Sequence, residues 1–251
     1  MAKISDFQKR STAAFFLWLI ITGCASLGQV QTQALEARRP QTLPGGSGWW
    51  YARFHLSWPA DTEPVWHTDI CLAHQVFSPL LETYSKDIAL WRFHRRAARD
   101  AAGRMFSFIF YSTAATARCI FSALKTDPLI HRLTRDGVIE RTAYDDPTHI
   151  IRPNIEDASD QHWPASIQKT WPYYIMGASQ MWLNLIAEVA AEYPQGFPAT
   201  SAKDIETVYQ KIDQTLLELW QRQGQHAFMH HLNALFEYAP LIYLEKRYMN
   251  F

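Results

Sequence analysis

Three histidines near the C-terminal end of the chain are the first side chains whose types and spacing suit chemistry. His226 and His230 lie four residues apart in a stretch with helical periodicity, which places both imidazoles on one helix face, and His231 is adjacent. Two imidazoles at this spacing can bind one metal ion, but a complete site needs a third ligand, and no HExxH glutamate accompanies them. We therefore expect a polar helix surface here, with a metal site as the alternative, and we predict no cofactor.

A group of basic side chains lies on and after a predicted strand, and its members are Arg92, His94, Arg95, Arg96 and Arg99. Arginine clusters bind carboxylates and phosphates through paired hydrogen bonds. The alternative is a solvated edge whose charges pair with the nearby acids Glu82, Asp87 and Asp100. In an enzyme, Arg95, His230 and His231 would be the catalytic candidates, and they would have to meet in one cleft. GxSxG, P-loop, GxGxxG and CxxC motifs are absent from the sequence.

Aromatic residues crowd a short stretch in the second half of the chain, namely Trp163, Trp171, Tyr173 and Tyr174. Aromatic rings with scattered polar groups suit a groove that binds a peptide, a sugar or a lipid. The alternative is that these rings form the core between two parts of the protein. As a binding site, this cluster would not need convergent titratable groups.

The N-terminal residues have the parts of an export signal. Lys3, Lys9 and Arg10 precede an apolar run over residues 13–21, which ends in small residues. That run is about half of the ~20 residues that a membrane-spanning helix needs. We therefore predict a cleaved signal peptide rather than a lasting transmembrane anchor.

The signal ends in Ile21, Thr22, Gly23 and Cys24. This segment resembles the lipobox of bacterial lipoproteins, in which the cysteine is acylated and becomes the new N-terminus. The resemblance implies that residues 1–23 are removed and that Cys24 carries the lipid. Ala25, rather than Asp, implies export to the outer membrane, facing the periplasm. The alternative is an ordinary signal peptide that is cut near Ala25.

Composition restricts the function classes. The chain has 251 residues, 48% hydrophobic and 19% charged, and no formal net charge, which is typical of one large or two small globular domains. Removal of the basic signal leaves a slightly acidic protein, so we expect no nucleic acid partner. Besides Cys24, only Cys71 and Cys119 remain. We expect both to be buried free thiols, and a disulfide between them is the alternative.

The predicted elements follow from periodicity and turn residues. A flexible tether over residues 24–48 precedes the folded part. The expected order from residue 49 to 145 is strand 50–58, helix 68–81 capped by Thr68, strand 88–96, strand 104–111, helix 113–133 and strand 138–144. This is the ferredoxin-like α+β order, an antiparallel sheet of four strands with two helices on one face. The apolar strand 104–111 is expected to be central.

Residues 146–251 are predicted to be a loop and two C-terminal helices, which form one globular unit with the sheet. The helices are expected over residues 167–192 and 202–239. The second helix is expected to have its cap at Ser201 and a break at Gly224. Because both helices are amphipathic, each should bury an apolar stripe against the sheet or the other helix.

The order of WYARFHLSW, WRFHRRAARDAAGRMFSFIFY and MHHLNALF resembles the C-terminal domain of lantibiotic and thiopeptide dehydratases. That cytoplasmic family acts on peptides by elimination. Phe93, His94 and Arg95 fit its aromatic-x-Arg-Tyr pattern, with Arg96 in place of Tyr. Its His-x-Arg-x-Arg strand is replaced by Arg104, Phe106 and Phe108, and in its late helix motif Asn233 and Leu235 agree, whereas Met229 and Ala234 do not. The resemblance therefore implies shared architecture without the residues for elimination.

These observations predict a lipid-anchored envelope protein that works as a non-catalytic binding or structural module. Its partners would be the membrane, through the lipid, and a protein or peptide of the envelope. An enzyme that acts on peptide-like substrates is the first alternative, and a metal-binding envelope protein is the second.

Overall fold

The computed structural model describes residues 46–193 and 202–240. The described residues belong to one compact unit. Predictions for the signal peptide, Cys24, the tether up to residue 45 and the Ser201 cap lie outside the described residues. Within the described ranges, no helix is both long enough and apolar enough to cross a bilayer.

The elements alternate between strands and helices in the first part and are helical in the second. The first part contains β1 (Ser47–Leu56), α1 (His67–Leu72), a π-helical segment (Ala73–Phe77), α2 (Ser78–Thr83), β2 (Ile88–Ala97), β3 (Arg104–Thr113), α3 (Ala114–Thr126), α4 (Pro128–Arg135) and β4 (Ile139–Tyr144). The second part contains a 3₁₀ turn (Ile155–Ala158), α5 (Ala165–Ala191), α6 (Ala202–Leu219), a π-helical segment (Trp220–His230) and α7 (His231–Ala234).

The four strands form one antiparallel sheet in the order β2-β3-β1-β4. The α+β prediction is thereby confirmed. Strand β3 is central, as its apolar sequence predicted, because a strand with neighbours on both sides is buried along most of its length. β1 begins at Ser47, three residues before the predicted start of the first strand at residue 50.

One face of the sheet is aromatic and is covered by helices. Phe77, at the end of the first π-helical segment, lies at its centre, with ring centroids 4.8 Å from Phe108, 5.7 Å from Phe54 and 5.7 Å from Phe93. Rings at these distances bury large apolar areas and favour edge-to-face contacts. This cluster holds the helical segment His67–Thr83 on the sheet.

The C-terminal helices pack against the open edge of β2 and against α1. The backbone N–H of Phe93 donates to Ser179 Oγ of α5 at 3.2 Å, which satisfies an edge-strand group that would otherwise be exposed. On α6, Tyr209 and Ile212 are fully buried, and the Tyr209 hydroxyl lies 2.8 Å from His74 Nδ1. The expectation that this helical part packs on the sheet unit is confirmed for α5 and α6.

Three predicted helices are interrupted, and the first of them, over residues 68–81, is divided by the π-helical segment Ala73–Phe77. Residues 113–133 divide at Pro128, because Pro lacks a backbone N–H, and the Asp127 carboxylate starts α4 by accepting from Leu129 N and Ile130 N at 2.9 Å. The last helix becomes π-helical at Trp220 and runs through Gly224, where a Cβ would lie 2.5 Å from the Trp220 ring. The predicted break at Gly224 is therefore wrong, because the chain stays helical there and the helix type changes earlier, at Trp220.

The predicted cap of the first helix is wrong. α1 begins after Trp66, which makes no side-chain cap, and Thr68 is buried inside the helix. The first turn of α1 is instead held to the sheet by ion pairs. The fully buried Asp69 carboxylate accepts from Arg95 Nε of β2 at 2.7 Å and from Arg104 Nη2 of β3 at 2.6 Å. The Trp66 ring lies 4.8 Å from the guanidinium of Arg95 and 4.2 Å from that of Arg104.

We expect Asp69→Asn to lower the free energy of unfolding by about 3 kcal/mol, because Arg104 would remain buried without its counter-charge. Urea denaturation measures this loss. Asp100→Asn is the matched control, since it breaks the Arg96–Asp100 pair at the exposed surface and should change the midpoint little. Equal midpoints for the two variants would contradict the role of Asp69.

We also expect the stability to fall as the pH is lowered through about 6.5, the ordinary pKa of histidine. Burial lowers the pKa of His74, and burial raises the pKa of Tyr209, so the Tyr209 hydroxyl keeps its proton and donates to neutral His74. Below this pH, the His74 imidazole binds a proton in the unfolded chain but stays neutral in the folded protein. Acidification therefore raises the population of the unfolded chain.

His74→Asn keeps an acceptor for Tyr209 but does not titrate. The drop in urea midpoint between about pH 7.5 and about pH 5.5 should be smaller in this variant than in the parent protein. His131→Asn, on the exposed side of α4, is the control and should retain the full drop. An unchanged drop in His74→Asn would refute the assignment.

Candidate functional site

One half of the second face of the sheet is polar, and we call this polar half the open face. It consists of Tyr51, Arg53, His55, Arg92, His94, Arg96, Met105, Ser107 and Arg141. These residues share one face because they lie directly opposite one another in the strand register or alternate along one strand. The other half is apolar, and the 3₁₀ turn covers it, with Trp49 Nε1 donating to Ile155 O at 2.9 Å.

Ser107 lies at the centre of the open face. In the register it has His94 of β2 on one side and Arg53 of β1 on the other. The residue is 1% exposed, and its Oγ has no hydrogen-bond partner among the described residues. A buried hydroxyl without a partner costs about 1–3 kcal/mol. Such a group in an otherwise regular strand therefore calls for an explanation.

Arg92 lies on β2 next to this row. Its guanidinium is 4.9 Å from the centre of the Trp171 ring and interacts with the Tyr51 hydroxyl. No described carboxylate forms an ion pair with it, and its buried Nε has no partner in the described part of the chain. Burial lowers the pKa of Arg92, but an arginine remains charged at neutral pH. Arg92 is thus a positioned cation without a counter-ion.

The next cation along the row, Arg53, shares one carboxylate with a second arginine and is therefore only partly neutralised. Its Nη1 lies 3.1 Å from Asp145 Oδ1, and the same carboxylate forms an ion pair with Arg152. Asp145 also accepts from the backbone N–H of Tyr51 at 3.1 Å. The Tyr51 ring lies 4.5 Å from the Arg53 guanidinium and 4.1 Å from that of Arg152. This network holds β1 to the loop that follows β4.

The remaining polar groups of the open face also have partners or are neutral. Arg96 pairs with Asp100, and Arg141 Nη2 lies 3.0 Å from His55 Nε2. Burial, followed by the charges of Arg92 and Arg96, lowers the pKa of His94. The His94 imidazole is therefore neutral at pH 7 and can donate one N–H.

The predicted aromatic cluster borders the open face through a single ring. Trp171 stacks on Arg92 and meets Trp163 edge-on, with ring centroids 5.4 Å apart. Trp163, Tyr173 and Tyr174 are exposed. The alternative that these four rings form an internal core is therefore wrong. Contrary to the expectation, Trp171 lies beside titratable groups.

The predicted catalytic candidates have separate environments. Arg95 binds the buried Asp69, as described above. His230 contacts His226, His231 and Tyr238, at ring-centroid distances of 5.1–5.3 Å. The contacts of the described residues therefore do not bring Arg95 together with His230 or His231. The convergence that an enzyme would require is not observed in them.

The metal alternative lacks a third ligand among the residues that the structure describes. The rings of His226 and His230 are stacked, with an interplanar angle of 13°. Within residues 46–193 and 202–240, no group of three or more His, Cys, Asp or Glu side chains is arranged to hold a metal ion.

The two cysteines of the described part are free thiols. Cys71 is buried in α1, and burial raises the pKa of its thiol to about 12. Cys119 is exposed, so the expectation that it is buried is wrong. Its helix α3 turns Ala117, Ile120 and Phe121 to the core, and position 119 faces away from them.

A groove of about 580 Å³ lies between α2, the start of β2 and α5. Its lining contains Trp91 and Met176, and Glu82 is its only ionisable side chain among the described residues. Because none of its polar side chains has a buried atom without a partner in the described part of the chain, this groove is a weaker candidate than the open face.

Sequence analysis identified Arg92, His94 and Trp171 but missed Ser107, Arg53 and Tyr51. Ser107 had a detectable signal, since it interrupts the apolar run of β3 between Phe106 and Phe108. Arg53 and Tyr51 alternate with Ala52 and Phe54 in β1 and therefore had a predictable common face. No local sequence pattern indicates that this face of β1 lies on the same side of the sheet as the even-numbered side chains of β2, such as Arg92 and His94.

Comparison of the chain with protein-family models, with curated proteins and with solved structures found no match. The functional argument therefore depends on the residues and the geometry described above.

Proposed function

We propose that this protein is a lipid-anchored component of the bacterial cell envelope and works as a non-catalytic binding module. The observation that supports this most strongly is the open face, where a buried hydroxyl without a partner lies beside an arginine without a counter-ion. In a binding site, a ligand can supply the partner that such groups lack. The partner is a peptide or protein of the envelope.

The proposed location follows from the N-terminal sequence. Cys24 would carry the lipid, and the body of the protein would face the periplasm from the outer membrane. Acylation with two or three chains holds a protein firmly on a bilayer, so the partner would be found in the same compartment. The described residues would then form the water-exposed body.

The proposed architecture is ferredoxin-like. In its support, the strand order β2-β3-β1-β4 is antiparallel throughout, and the helical segments that follow β1 and β3 connect strands that are not neighbours. The resemblance to the dehydratase C-terminal domain stays a prediction. A sheet of this kind leaves one face free of its two connecting helices, and the open face lies on that side.

The lipid anchor is tested by mass spectrometry of the protein produced in a Gram-negative host. We expect residues 1–23 to be absent and Cys24 to carry a diacylglyceryl group. Cys24→Ser should remove the modification. An intact signal peptide, or a free thiol at Cys24 in the mature protein, would contradict the proposed location.

The binding face is tested by site-specific photo-cross-linking in the native envelope. A photoreactive residue in place of Met105, on the open face, should yield a discrete cross-linked partner. The same residue in place of the exposed His131, on α4, should not. Arg92→Gln should weaken the cross-link at position 105 by about tenfold if the arginine contributes a charged hydrogen bond. Equal cross-linking at positions 105 and 131 would refute the proposal.

A further inference from the structure

We propose that the open face binds a carboxylate of its peptide partner, with the Arg92 guanidinium, the Ser107 hydroxyl and the His94 imidazole as hydrogen-bond donors. This inference rests on the proposed function and adds the chemical class of the group that is bound.

The register brings the three donors together. Ser107 and His94 are directly paired between β3 and β2, and Arg92 follows on the same face of β2 two residues away. Side chains related in this way have Cβ atoms about 5–8 Å apart. Arg92 extends from β2 to Tyr51 of β1, and β3 lies between these strands. Its guanidinium is therefore held above β3, the strand that carries Ser107.

Two of these side chains contain atoms that need an acceptor. Ser107 Oγ and Arg92 Nε are both buried, and neither has a partner among the described residues. A carboxylate has two oxygens and accepts from several donors at once. One carboxylate on this face would satisfy both groups, which no side chain in the described part of the chain does.

The charges of the open face favour an anion. Arg53 is paired with Asp145, and Arg96 with Asp100. His94 is neutral, because burial and the neighbouring arginines lower its pKa. Arg92 is thus the cation beside Ser107 that no described carboxylate neutralises. Arg53 and Arg152 share the single charge of Asp145, so further positive charge beside Ser107 also favours an anion.

The site is also rigid. Trp171 stacks on the Arg92 guanidinium, and Ser107 belongs to the central strand of the sheet. A planar guanidinium that is held by an aromatic ring loses little freedom when it binds a planar carboxylate. Binding would therefore leave the backbone of the sheet in place, but because Ser107 Oγ and Arg92 Nε are buried, the side chains that cover them would have to move aside to admit the carboxylate.

The experiment uses the mature full chain in mild detergent, with N-acetyl-alanyl-alanine as the probe and its C-terminal amide as the comparison. The Nε–H resonance of Arg92, assigned from its loss in Arg92→Lys, is followed by NMR. We expect a saturable shift with the acid and none with the amide. Arg92→Gln should reduce the affinity about tenfold, judged from other methyl and amide resonances.

Arg99→Gln is the matched control for Arg92. The Arg99 guanidinium also stacks on a tryptophan, 3.4 Å from the Trp58 ring centre, but it lies in the loop after β2 and not on the open face. Its removal should leave the affinity unchanged. An equal loss of affinity in Arg99→Gln and Arg92→Gln would overturn the assignment.

Ser107→Ala separates a binding role from a structural one. Because it deletes a buried hydroxyl that has no partner, it should raise the urea midpoint, and it should lower the affinity for the acid about three- to tenfold. A raised midpoint with unchanged affinity would remove Ser107 from the site and overturn the proposal as stated.

Three further outcomes are decisive. Saturation by inorganic phosphate but not by the acid would overturn the carboxylate assignment, and equal affinity for acetate would overturn the peptide as its source. If position 105 still cross-links to a partner while the acid fails to bind, the carboxylate inference is wrong and the binding face stands. Loss of both results would reject the binding face as well.

Discussion

The buried carboxylate of Asp69 is the interaction on which the arrangement of helices and sheet depends. It joins α1 to the ends of β2 and β3 through Arg95 and Arg104, and the Trp66 ring packs on both guanidinium groups. A buried charge is tolerated only when it is paired and hydrogen-bonded, so these contacts determine where α1 begins on the sheet. Since α6 packs on α1, the same carboxylate also positions the C-terminal helices.

The position of this helical layer decides what the other face of the sheet can do. Phe77 packs against aromatic side chains of β1, β2 and β3. Because side chains alternate along a strand, the intervening residues of these strands point away from the helices. Most of those residues are polar, and the 3₁₀ turn covers only their apolar end. The open face is therefore a direct consequence of the aromatic core, and its arginines share one surface without being adjacent in sequence.

The sequence predicted much of the first part because its patterns are local. In β2 the alternation of Trp91, Phe93 and Arg95 with Leu90, Arg92 and His94 was predicted, and the structure confirms the two directions. The interruption and the true start of the first helix were missed for a different reason. The π-helical segment that ends at Phe77 is recognisable only from its contacts with three strands, and Thr68 is buried by packing that its neighbours in sequence do not reveal.

The same division applies to the candidate site. The amino-acid sequence by itself determined the strand periods, the basic character of β2 and the aromatic cluster that contains Trp171. Only the tertiary structure decided that Arg95 would form an ion pair with Asp69, 26 residues earlier in the chain. The same packing leaves Arg92 without a described counter-ion beside Ser107. Periodicity depends on the geometry of a single strand, whereas the pairing of charges depends on register and packing between segments that are far apart in the chain.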